Sequence, residues 1–158
     1  MPTVRDATTP AIEVSSSASG PLLQVWPDGR IAWSGDTIRG GSPVRTGTID
    51  PAAVNSAIQD IRGLLRGEPW TAEVRAGPDA DVTTVRVRDG DTLLVDVGSW
   101  HERFEADPRL VVTAAGVEPL NGRSREAVLA QQPAEYRLFR QRWDAVLGRL
   151  RGLVPAPR

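Results

Sequence analysis

A chain of 158 residues with 40% hydrophobic and 25% charged side chains has the composition of one globular domain, not of a disordered segment. Its 0 Cys and 1 His remove disulfides, thiolate metal sites and cysteine nucleophiles, and leave too few nitrogen ligands for an ordinary zinc site. A formal net charge of -1 supplies no overall field for nucleic acid or anionic lipid, so neither is an expected partner.

All 19 basic residues are Arg. Their scatter along the chain fits GC-rich codon usage, which also favours Ala, Gly and Pro, better than a stripe that tracks phosphates. No apolar run approaches the ~20 residues a membrane span requires. The start, Met1-Pro2-Thr3-Val4-Arg5-Asp6, lacks the basic and apolar regions of a secretion signal. The expectation is a cytoplasmic chain, or one whose signal was already trimmed.

Residues 1–10 read as a mobile tail, 11–154 as a single globular domain and 155–158 as a second tail. Ile12 and Val14 alternate with Glu13, which predicts a strand, and the Ser- and Gly-rich run to Gly20 predicts its turn. Residues 22–33 carry the clearest hairpin signal. In Trp26-Pro27-Asp28-Gly29-Arg30, Pro fits φ near −65° and Gly fits a positive φ, as in a type I turn closed by a G1 bulge. Trp26 and Trp33 are expected in the core, meeting across or beside this hairpin. Residues 44–49 complete a four-stranded meander.

Asp50 is a natural N-cap and Pro51 suits the first helical position. Val54, Ala57, Ile58, Ile61, Leu64 and Leu65 recur on one helical face, and Gly67 is placed to end the helix. A short strand is expected at 73–75. A second hairpin follows, with Val85 and Val87 before an Asp89-Gly90 turn of type I′ and Leu93, Val95 and Val97 after it. Ser99 is expected to cap a short helix through Phe104, with a further strand at 110–113, an Asn121-Gly122 turn and a short helix over 124–131. From Pro133, a long amphipathic helix aligns Tyr136, Phe139, Trp143, Val146, Leu147, Leu150, Leu153 and Val154.

The fold class predicted is therefore α+β: an antiparallel sheet of about six strands, packed on one face by two amphipathic helices. A Pro-Asp-Gly hairpin with a terminal helix is similar to the layout of small bacterial domains, a likeness that implies no function.

Functional motifs are sparse. There is no Gly-x-Ser-x-Gly elbow and no Gly-x-Gly-x-x-Gly fingerprint, and a Walker loop is impossible without Lys. The pairs Asp79/Asp81 and Asp89/Asp91 suit turns better than a calcium loop, which needs more oxygens and a closing Glu. No catalytic, cofactor-binding or metal residue is assigned, and no cofactor is expected. Four residues are candidates for a surface site: Trp70 and Trp100, which flank Pro, Gly or Ser, and His101 and Arg103, which follow a strand end. Opposite the apolar stripe of the last helix lie Gln141, Ala145, Gly148 and Gly152. Those small residues suit either a solvated face or a homodimer through Ala145, Gly148 and Gly152.

The poverty of acid–base groups and the count of 5 Trp favour a non-catalytic protein-interaction or binding module. The alternatives are a small hydrolase-like enzyme using Asp, Glu and Arg around His101, and a small-ligand carrier with a Trp-lined cavity.

Overall fold

The computed structural model describes residues 9–17, 20–66 and 81–157. Trp70 and the strand expected at 73–75 lie outside the described residues.

Strands β1 (Ile12–Ser16), β2 (Gly20–Val25), β3 (Arg30–Ser34) and β4 (Val44–Thr48) form the expected meander. Helix α1 (Pro51–Leu65) then returns the chain to β5 (Thr83–Asp89) and β6 (Thr92–Ser99). β5 pairs with β1, so the six-stranded sheet runs β4-β3-β2-β1-β5-β6 and is antiparallel at each interface. Beyond it come α2 (His101–Phe104), the hairpin β7 (Leu110–Thr113) with β8 (Gly116–Pro119), α3 (Arg125–Ala130) and α4 (Ala134–Arg151). No helix among the described residues is long and apolar enough to cross a membrane.

One face of the sheet is aliphatic. Val14 lies opposite Leu23 and Val85, and Ile12 opposite Val25 and Val87. These side chains join Val54, Ala57 and Ile61 of α1 and Phe139, Trp143, Val146 and Leu150 of α4 in one core. Each such apolar side chain contributes about 1.5–3 kcal/mol on burial. The other face is polar. Gln24 donates to Glu13 at 3.2 Å, and Arg86 reaches Asp96 at 3.3 Å and Glu13 at 3.7 Å. This alternation keeps both main helices on one side.

The first hairpin turns as its residues require. Gly29 takes φ +92°, its N–H donates to the Trp26 carbonyl at 3.0 Å, and the Trp26 N–H donates to Arg30 at 2.9 Å. Ile49 N–H donates to the Gly29 carbonyl at 2.8 Å, so this turn also seats the start of α1. There the Asp50 carboxylate accepts from Ala52 N–H at 2.9 Å, satisfying an orphan donor of the first turn.

Three local expectations are corrected. Trp26 does not meet Trp33. It shares a face with Leu22 and Gln24, whereas Trp33 is paired with Leu23 on the other face, and it stacks under the Arg30 guanidinium at 5.2 Å. The second turn holds Gly90-Asp91 between paired Asp89 and Thr92, and only Gly90 has a positive φ, +59°, whereas type I′ needs two. A register shift beyond this turn leaves Leu93 exposed. Ser99 belongs to β6 and does not cap α2; Trp100 holds the cap position with no side-chain bond.

Candidate functional site

β6 runs directly into α2, and that junction decides where the predicted site residues lie. The one-turn helix packs on β7 and under α4, which folds Trp100 and His101 inward. Trp100 is only 5% exposed, edge-on to Phe104 at 5.3 Å, and His101 is 4% exposed. Both expectations of surface placement are thereby corrected. Polar neighbours in sequence did not keep either ring in water, because the facing helix covers them. Arg103 stays at the surface, with its side chain 38% exposed and paired with Asp81. Trp70 lies outside the described residues.

His101 is held from both sides. Its Nδ1 lies 2.5 Å from the Ser99 hydroxyl; its Nε2 lies 3.2 Å from Glu102 Oε1 and 3.9 Å from Asp144 Oδ1. The Trp143 indole N–H donates to the same Glu102 oxygen. The His101 ring beside it holds the largely exposed Asp144 carboxyl below its ordinary value. Hydroxyl, imidazole and carboxylate thus stand in a row, the composition of a hydrolytic triad. Yet Ser99 and His101 are both buried, and neither is among the residues that line the cleft described below. The row ties α2 to α4.

A second cluster does the same work beside it. Glu105 accepts from both terminal nitrogens of Arg140, at 2.6 and 2.8 Å, and from the Val112 N–H at 3.2 Å. Arg125 lies 3.6 Å from Glu105 and donates to the carbonyls of Glu105, Asp107 and Leu110. Burial opposes the charge on Arg140, but the Glu105 carboxylate more than offsets it and holds the guanidinium above its ordinary value. Burial also raises the Tyr136 phenol, whose O–H donates to the Val112 carbonyl at 2.8 Å. Among the described residues no group of three or more His, Asp or Glu is placed to hold a metal ion.

These two clusters form the floor of a cleft of about 670 Å³. Leu23 and Trp33 supply the sheet wall, and Leu147, Leu150 and Val154 the wall from α4 and the residues after it. Glu102, Glu105 and Ala106 close the bottom. Small-molecule sites span roughly 300–1,000 Å³, so this cleft has the size for one. The loop between β3 and β4 forms its lip. Asp36 organises that loop by accepting from the N–H groups of Ile38 and Arg39 at 3.0 and 2.8 Å, which lowers its carboxyl below the usual range. Ser34 anchors it by donating to the Gly41 carbonyl at 2.7 Å. Ile38, held by this scaffold, lines the cleft while 40% exposed.

Sequence reasoning assigned Trp33 to the core and passed over Ile38 and Arg45, which line the cleft together with Arg151. One signal was available: Ile38 is a lone large aliphatic in a loop otherwise made of Gly, Ser, Thr, Asp, Arg and Pro. The small-residue face of α4 is solvated in this chain, with nothing within 4 Å of a side chain built at Gly148. No protein-family model matches the chain, and no curated protein or solved structure matches it either.

Proposed function

We propose that this protein is a non-catalytic binding module that takes a small apolar ligand in the cleft between β2, β3, α2 and the end of α4. One observation carries the reading. Beside the core, about 670 Å³ stays open between walls of Leu, Val and Trp33, with Ile38 held exposed at the lip. Leaving apolar surface in water costs about 25 cal/mol per Å², and a ligand that covers it recovers that cost. The titratable groups below the cleft favour binding over catalysis, since each is engaged in holding α2 in place.

The test is titration with N-phenyl-naphthylamine, a neutral fluorophore that brightens in apolar surroundings. Saturable binding at one site per chain is expected. Leu147→Trp, which fills the cleft, and Ile38→Asp, which charges its lip, should each weaken binding about tenfold or more, a change of ~1.4 kcal/mol. Circular dichroism and urea unfolding establish that both variants fold. Absence of saturable binding, or equal affinity in a folded Leu147→Trp variant, would overturn the proposal.

A further inference from the structure

The charges around the cleft are unequal in their commitments, and this points to the chemistry of its ligand. Among the described residues, four charged side chains line it: Glu102, Glu105, Arg45 and Arg151. The two acids are engaged from beneath, Glu102 through one oxygen while its Oε2 has no hydrogen-bond partner. Glu105 faces Arg140 and Arg125, and Glu102 faces His101 and the Trp143 indole. The two arginines are not. Arg45 stands on β4 directly across from Trp33, and Arg151 ends α4 on the opposite wall. Both are exposed, and neither has an ion pair or hydrogen bond with any described residue. Asp144 is the acid whose titration Arg151 influences, and it lies a full two turns back along α4, 3.9 Å from His101.

Resting on the binding reading above, we infer that the cleft's ligand is an amphiphilic carboxylate. Its apolar body lies along Trp33 and Leu147, and its anionic head is met by Arg45 from the sheet and Arg151 from the helix. A guanidinium presents paired N–H donors that match the two oxygens of a carboxylate, and it sheds its weak hydration readily. An apolar wall beside such a head lowers the local dielectric and strengthens the attraction. A neutral ligand would leave both cations without a partner. A cationic ligand would meet two like charges, Arg45 and Arg151, before it reached the acids below.

Decanoate and decanol share one apolar body and differ in the head, so together they separate the two levels of the argument. Calorimetric titration of the folded full chain at low salt should give decanoate at least tenfold tighter than decanol. Arg45→Ala and Arg151→Ala should each remove about three- to tenfold of that preference, decanoate losing more affinity than decanol. Raising the salt should erode the preference and spare the decanol affinity. Equal binding of the two compounds, or a preference that survives in the double variant, overturns the carboxylate inference and leaves the apolar cleft standing. If neither compound binds, both the inference and the binding module fall.

Discussion

Glu105→Ala should be among the most damaging single changes in this protein, and its cost follows from the geometry. Glu105 has its side chain 8% exposed and accepts two hydrogen bonds from Arg140, whose side chain is 11% exposed, and one from Val112 N–H. Removal strands a buried guanidinium whose Nε already lacks a partner. Hydrogen bonds to charged groups contribute about 1.5–3 kcal/mol each, an upper bound for all three bonds because such terms do not add. Breaking a buried pair from one side costs about 3–5 kcal/mol, and that smaller figure is the expected loss. In a chain of this size it lowers Tm by roughly 6–20 °C, at about 2–4 °C per kcal/mol. Glu105→Gln retains one good acceptor and should lose less. The double variant Glu105→Leu with Arg140→Met removes both charges and should recover most of the loss, since well-packed apolar replacements of buried pairs are often near neutral. Urea unfolding of the wild type, Glu105→Leu, Arg140→Met and the double variant gives the double-mutant cycle. A cost below about 1 kcal/mol for Glu105→Ala, the range of exposed pairs, would show that water screens the cluster and that it does not hold α2 under the cleft.

Other outcomes are equally specific. Asp107 is held at about 2, chiefly by the side-chain and then the backbone hydrogen bond of Arg109. Its folded value lies below its unfolded one, so the interaction stabilises above the ordinary value of 3.8 and is lost as pH falls toward 2. Carboxyl NMR titration should find that midpoint, and Arg109→Ala should return it to the ordinary range; an unmoved midpoint refutes the cause. Asp50→Ala removes the cap of α1 and should cost about 1 kcal/mol in urea unfolding. Gly29→Ala should cost more than about 1–3 kcal/mol, because its φ of +92° is unsuited to Ala and the new methyl would strike the Ile49 carbonyl. By contrast Gly148→Ala enters open space in a helix interior and should stabilise by roughly 0.5–1 kcal/mol. A loss of stability there, or a change in sedimentation, would show that the small-residue face of α4 is covered.

The residues themselves determined the pieces. Pro27, Asp28 and Gly29 specify a turn because each constrains φ at its own position, and Asp50-Pro51 starts a helix for reasons contained in one turn of chain. Alternation in 85–88 and three–four spacing in 136–150 marked the faces that meet in the core. Tertiary structure alone decided that β5 lies beside β1, that α2 turns Trp100 and His101 inside, and that Trp33 walls a cleft with Arg45 and Arg151 at its mouth. The reason is range. Backbone preference and side-chain periodicity act over a few neighbouring residues, whereas burial and the pairing of charges depend on whichever distant segment comes to face them.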